Sequence, residues 1–126
     1  MAITQAMCTS FKTQLLTATH NFATNGNSFK LALYAESSGG KSNTTATLGA
    51  ATTAFTTTGE VASSGTYVTG GLALTKVAPT SSGTTAFTDF ADRSFTTATI
   101  TAMGALIYND TNGNKAVAVL DFGSNK

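Results

Sequence analysis

Charge is scarce in this chain. Of its 126 residues only 10% are Asp, Glu, Lys or Arg, against about 25% in an ordinary soluble domain. The seven basic residues stand apart from one another, at Lys12, Lys30, Lys41, Lys76, Arg93, Lys115 and Lys126. No basic stripe is left to release counterions from a phosphate backbone, which argues against nucleic acid as a partner. Cysteine is nearly absent too: Cys8 stands alone, has no partner within the chain, and implies no oxidising compartment. No apolar run approaches the roughly 20 residues that span a bilayer. Residues 1–7 lack the basic start and continuous apolar stretch of a signal peptide. The expectation is a protein made in a cytoplasm, with neither a membrane nor a nucleic acid as partner.

Thr, Ser, Asn, Gly and Ala take the place of the missing charge. Thr is β-branched, stiff at χ1 and suited to a pleated surface. A face of Thr and Ser stays wet with few charges, which suits a protein packed among copies of itself or its neighbours. The length fits a single domain, 1–126, with enough chain to bury a core of its own.

Hydrophobic spacing predicts one N-terminal amphipathic helix within residues 3–22, running from about 4 to 19. Ile3, Met7, Phe11 and Leu15 recur every four residues, with Cys8 and Leu16 beside them. Asn25-Gly26-Asn27 ends it. From Phe29 the period changes to two, and residues 29–122 read as β-rich. Phe29, Leu31 and Leu33 alternate with Lys30, Ala32 and Tyr34 as a half-buried strand. Residues 36–47 form a Ser/Gly/Asn/Thr-rich loop. Residues 50–58 fit either a helical turn or an irregular edge. Strand pieces follow at 67–69 and 72–77 around Gly70-Gly71, and Pro79 with Ser81-Ser82-Gly83 ends that unit. Residues 84–90 and 95–102 alternate as strands. Strands at 105–108 and 115–122 flank Asn109-Asp110-Thr111-Asn112-Gly113-Asn114, the clearest hairpin signal in the chain. The pattern predicts a mainly β fold: an antiparallel β-sandwich or small barrel with the helix packed beside it.

Chemistry-bearing residues are few. His20, the one histidine, lacks a nearby carboxylate and nucleophile in the sequence and reads as a helix-end residue. Cys8 reads as a small buried hydrophobe. Asp89 and Asp92, with Arg93 alongside, fall where a turn is predicted and read as an Asp–Arg brace. Asp110 to Asn114 brings its glycine too early for a calcium loop and has no closing Glu. Gly39-Gly40 and Gly70-Gly71 match no phosphate-cradling motif. The eight Phe and three Tyr are spread along predicted strands as core. No catalytic constellation, metal site or cofactor site is predicted, and the chain reads as non-enzymatic.

Three stretches carry a family resemblance. The first is Met1-Ala2-Ile3-Thr4-Gln5-Ala6-Met7-Cys8-Thr9-Ser10-Phe11-Lys12 with Leu15-Leu16 and His20-Asn21-Phe22. The second is Phe29-Lys30-Leu31-Ala32-Leu33-Tyr34 with Thr47-Leu48-Gly49-Ala50 and Gly59-Glu60-Val61. The third lies within residues 94–122, above all Gly104-Ala105-Leu106-Ile107-Tyr108 and Ala116-Val117-Ala118-Val119-Leu120-Asp121-Phe122-Gly123. Together they resemble a family of small virion structural proteins of tailed bacteriophages, of the marine and cyanobacterial type, over nearly the whole chain. The resemblance implies a place in the virion, a homo-oligomeric habit and other virion proteins as partners. The foremost expectation is a capsid decoration or cement protein bridging coat subunits, with the major coat protein as its partner. A tail or fibre component, including a receptor-binding one, is the alternative, and a small hydrolase comes last. Ser38, Gly39, Gly40, Lys41, Ser42 and Asn43, on the Gly-rich loop, are the candidate partner contacts, together with the helix; a simply solvated loop is the equal alternative. Family members continue beyond Asp-Phe-Gly with another strand-forming segment, whereas this chain reaches Lys126. Either the sequence is cut short there or the last strand is absent, and in the second case the expectation is an open sheet edge.

Overall fold

A computed structural model describes residues 3–35 and 47–126. The elements in chain order are β1 (Ala6–Met7), α1 (Thr9–Leu16), β2 (Phe29–Tyr34), β3 (Leu72–Ala73), β4 (Lys76–Ser82), β5 (Thr85–Phe90), β6 (Gly104–Asn109) and β7 (Lys115–Asp121). They form a five-stranded antiparallel sheet in the order β1-β7-β6-β2-β3 and a two-stranded hairpin, β4-β5. The fold is mainly β and sandwich-like, with one short N-terminal helix, as the periodicity predicts; of the two predicted architectures the small barrel is not formed among the described residues.

β6 is the central strand of the sheet, and β2 pairs with it from Phe29↔Asn109 to Tyr34↔Gly104. Alternation sets Ala32, Tyr34, Leu106 and Tyr108 on one face and Leu31, Leu33, Ala105 and Ile107 on the other. Both faces are covered. Ala32, Leu33, Tyr34, Ala105, Leu106 and Tyr108 are all buried, so β2 is not the half-buried strand that its spacing predicts. Sheets covered on both sides carry near-continuous apolar strands, which is how Leu31-Ala32-Leu33-Tyr34 and Ala116-Val117-Ala118-Val119 read. Ile3, Leu48 and Phe55 pack on the first face, Phe55 stacking on Tyr108 at 4.8 Å. Val61, Tyr67, Phe95 and Ile100 gather around Leu33 and Ala105 on the second. Each fully buried Leu, Val or Phe contributes about 1.5–3 kcal/mol relative to exposure.

The largest correction concerns residues 3–8, which the four-residue spacing assigns to the helix. They are extended. Ala6 and Met7 pair with Val119 and Ala118, the Cys8 N–H donates to the Val117 carbonyl at 3.0 Å, and α1 begins only at Thr9. Of the predicted stripe, Ile3 and Phe11 are buried, while Met7 and Leu15 are exposed. The same segment overturns the expected open edge beside β7. β1 occupies part of that edge, and residues 53–55 occupy another part, with Ala116 N–H donating to the Thr53 carbonyl and Phe55 N–H to the Asn114 carbonyl. Those bonds also decide residues 50–58, which are an irregular edge. The stretch 95–102, predicted as a strand, is turn and irregular chain instead. Thr97 adopts φ 53°, and the Thr96 backbone exchanges bonds with Thr66 rather than with a strand.

The opposite edge of the sheet is completed in pieces along β2. Residues 59–61 serve its end, with Ala35 N–H donating to Gly59 O and Val61 N–H to Leu33 O. β3 pairs with Lys30 and Leu31. Between them the Leu33 N–H donates to the Tyr67 hydroxyl at 2.9 Å, which in turn donates to Glu60 Oε1 at 2.8 Å. Glu60 Oε1 also accepts from the Gly70 N–H, and the Tyr108 hydroxyl donates to the Gly70 carbonyl. Gly71 sits at φ +84°, and a Cβ there would lie 2.3 Å from the Leu31 carbonyl oxygen. Its backbone therefore approaches β2 as only glycine permits.

Two tests follow from this edge. Gly71→Ala combines left-handed strain with a backbone collision and should cost clearly more than Gly70→Ala, which meets only open space at φ +95° and bears the conformational term alone, about 1–2 kcal/mol. Urea midpoints of the two variants measure the difference, and equal midpoints would contradict the close approach. Tyr67→Phe leaves the buried Leu33 N–H without an acceptor and should destabilise by about 1–3 kcal/mol in the same titration.

Candidate interaction surface

Four of the sequence-singled residues are absorbed by the body of the fold. Cys8 is fully buried, its Sγ 3.8 Å from the Gly49 carbonyl oxygen, and burial pushes its thiol up from the ordinary value. That is the small buried hydrophobe predicted, placed at the start of α1. His20 lies past the end of α1, 7% exposed, with its ring against Phe11 at 4.9 Å and Phe29 at 6.3 Å. Asp110 begins the β6–β7 turn and pairs with Lys30 at 3.3 Å, the sole ion pair among the described residues. Asn109 organises this turn: its Oδ1 accepts from the Thr111 and Asn112 N–H groups, each at 3.1 Å.

The predicted Asp–Arg brace is not formed. Asp89 stands within β5 opposite Val77, and its carboxylate accepts from the N–H of its own neighbour Phe90 at 2.7 Å. A local backbone bond satisfies the carboxylate in place of Arg93. Among the described residues, no group of three or more His, Cys, Asp or Glu side chains is placed to hold a metal ion. No helix there is long and apolar enough to cross a membrane. Ser38, Gly39, Gly40, Lys41, Ser42 and Asn43 lie outside the described residues.

A polar knot fixes the state of His20. The backbone donors on Asn109 Oδ1 orient that amide, so its Nδ2 faces His20 Nδ1 at 3.0 Å and Asn27 Oδ1 at 3.0 Å. An amide nitrogen only donates, so Nδ1 is the acceptor and the ring proton sits on Nε2, donating to Gln14 Oε1 at 2.8 Å. The ring is therefore neutral. Burial, and then the positive charge of Lys115, hold its pKa below the ordinary value.

Among the described residues, the β4–β5 hairpin is an exposed element of two whole strands. Its base is anchored. Phe90 packs on Phe22 and Phe29 at 6.2 and 5.7 Å, Ala91 N–H donates to the Thr75 carbonyl, and the Lys76 ammonium donates to the Asn27 carbonyl. Beyond the base every residue of both strands is exposed, including Val77 and Phe87 at 46% and 50%. β4 runs through Pro79 to Ser82, where the sequence predicts an end. A two-residue link, Gly83-Thr84, then closes the hairpin from Ser82 to Thr85, with Gly83 at φ +58°. Between hairpin and helix runs an apolar trough of about 430 Å³, lined by Met7, Phe11, Leu15, Phe22, Pro79 and Phe87 among others.

Val77 and Phe87 were legible as strand residues, but not as exposed ones. The available signal was the Gly83-Thr84 step between two Thr/Ser-rich runs, a hairpin pattern that the neighbouring Pro79 obscures.

The His20 geometry fixes the sign of a pH effect. Because the folded-state pKa is depressed, the unfolded chain takes up the proton first. Stability should hold above the ordinary histidine value of about 6.5, fall as pH drops through it, and level off below the folded-state value. Thermal melts of the native protein and of His20→Gln across that range should show this fall only in the native chain. Parallel profiles would place the sensitivity elsewhere.

In comparisons with protein-family models, curated proteins and solved structures, none matches this chain.

Proposed function

We propose that this protein is a non-enzymatic structural component of a tailed-phage particle, and specifically a capsid decoration or cement protein that bridges neighbouring coat subunits. The observation that carries the reading is the β4–β5 hairpin. It stands on a well-packed sheet, is held at its base among the described residues, and presents Val77 and Phe87 to solvent beside an apolar trough. A bridging protein needs a rigid body and an element that reaches beyond it, and the hairpin is such an element. The sparse charge of the chain fits close packing against neighbours, since few charges would have to be desolvated on contact. The resemblance of residues 1–12, 29–34 and 94–122, with the shorter stretches around them, to phage virion proteins supports a particle as the setting.

The test is stoichiometry. In purified particles of a phage carrying this gene, quantitative mass spectrometry should find the protein at a copy number comparable with that of the major coat protein. A few copies per particle would instead mark a tail or fibre component, and absence from washed particles would sink both readings.

A further inference from the structure

We propose that the β4–β5 hairpin is a homodimerisation arm, in which β5 pairs antiparallel with β5 of a second copy across a two-fold axis at Phe87. The result would be a continuous sheet in the order β4-β5-β5-β4. The proposal goes beyond the particle reading and stands or falls separately from it.

The argument begins with the hairpin's own weakness. A two-stranded hairpin is marginal in water, and independent stability needs at least a third strand or a covering layer. Here the covering layer reaches only the base, at Lys76 and Phe90. Two edges are open in principle, but they are not equivalent. On β4 the register shifts between Val77 and Thr80, so Ala78 and Pro79 together face the single Thr88. A bulge and a proline on one strand are the usual devices that prevent edge pairing. β5 carries neither.

The register shows which groups β5 leaves free. Ser82 and Thr85 close the two-residue link, and Phe87 and Asp89 are paired with Thr80 and Val77, so the odd-numbered residues direct their N–H and C=O groups toward β4. Ala91 N–H continues this set by donating to Thr75. The even-numbered residues direct theirs outward. The Phe90 N–H is already taken by Asp89 Oδ1, which leaves Ala86 and Thr88 as the β5 residues whose outer donor and acceptor meet no partner among the described residues.

A second copy fits this edge better than an unrelated strand. A two-fold axis at Phe87 sets Ala86 opposite Thr88 of the second copy, and Thr88 opposite its Ala86. Each of these two pairs exchanges both backbone bonds. The two Phe87 rings then meet at a non-hydrogen-bonded position, where Cα atoms approach to about 4.5 Å and side chains are closest, and an aromatic cross-strand pair there is favourable. Asp89 falls opposite Thr85, so no like charges face each other. The formal net charge of +1 sets little long-range repulsion against self-association. Such an interface is isologous and closed, giving a discrete dimer rather than a filament.

Analytical ultracentrifugation of the purified chain should show a concentration-dependent dimer. Thr88→Pro deletes an outward N–H and the long Thr88 Oγ1–Val77 O contact of 3.5 Å while leaving the backbone bonds to β4 in place. It should weaken dimerisation on the order of tenfold or more, with far-UV circular dichroism unchanged; Thr88→Val, which loses only the hydroxyl, should dimerise as the native chain does. Phe87→Cys should cross-link rapidly under mild oxidation, since the expected separation lies within disulfide reach. Thr85→Cys, whose counterpart in the second copy is Asp89, should not. This cysteine pair decides the matter even if the proline variant fails to fold. A chain that stays monomeric at its highest soluble concentration, a folded Thr88→Pro variant that dimerises as the native chain does, or equal cross-linking at both cysteines would overturn the proposal.

Discussion

The backbone N–H and C=O groups along the two edges of the five-stranded sheet are the constraint on which the remaining structure depends. A buried polar group without a partner costs about 1–3 kcal/mol, a large share of the stability of a domain this small. The loops are shaped by that requirement. Residues 3–8 and 53–55 serve β7. Residues 59–61, the Tyr67 hydroxyl and β3 divide β2 between them. Tyr67 is the least ordinary of these parts, because one side-chain oxygen does the work of a strand's carbonyl. Burial pushes its phenol well above the ordinary value, so the hydroxyl keeps its proton and can accept from Leu33 while donating to Glu60. Glu60 then reaches Gly70, and the glycine pair lets the chain turn closely past Leu31 into β3.

Much of this sheet was legible in the sequence because local and global preferences agree there. The run Phe29-Lys30-Leu31-Ala32-Leu33-Tyr34 suits a strand whichever face is buried, and Asn112-Gly113-Asn114 supplies the positive φ that the β6–β7 turn uses at Gly113 and Asn114. The N-terminus failed for a definable reason. A spacing of four satisfies a helix nearly as well as it satisfies the two-residue period of a strand, so Ile3, Met7 and Phe11 could not separate the two. Pairing with β7 decides the outcome, and that is a contact across more than a hundred residues. At 95–102 the error has the opposite sign: the alternation is real, but Thr66 and Ser64 side chains bond the Thr96 and Thr99 N–H groups and hold the chain out of a ladder.

The candidate surface was less legible than the fold. Exposure is a tertiary property, and nothing in Thr85-Ala86-Phe87-Thr88-Asp89-Phe90 announces that Phe90 anchors while Phe87 faces water. Nor could the chemistry-bearing residues direct attention to the hairpin, because His20, Cys8 and Asp110 serve the packing and turns of the body. The His20 knot shows how completely they are used, since its two ring nitrogens and the Asn109 amide each meet a complementary group.

Closure of the body and exposure of the arm are connected. Because the chain's own segments serve the edges beside β7 and β2, those edges offer an incoming strand far fewer free backbone groups than an open strand would. On β4 the bulge and Pro79 interrupt what is left. Among the described residues, β5 is then the strand whose outer donors and acceptors remain in sequence, at Ala86 and Thr88. Strand addition is then favoured, among the described residues, at one short edge, with Phe87 between its two free residues. An arm with a single usable edge pairs once and stops. A second open edge on the same hairpin would let copies add without limit, which is the hazard that a bulge and a proline on β4 remove.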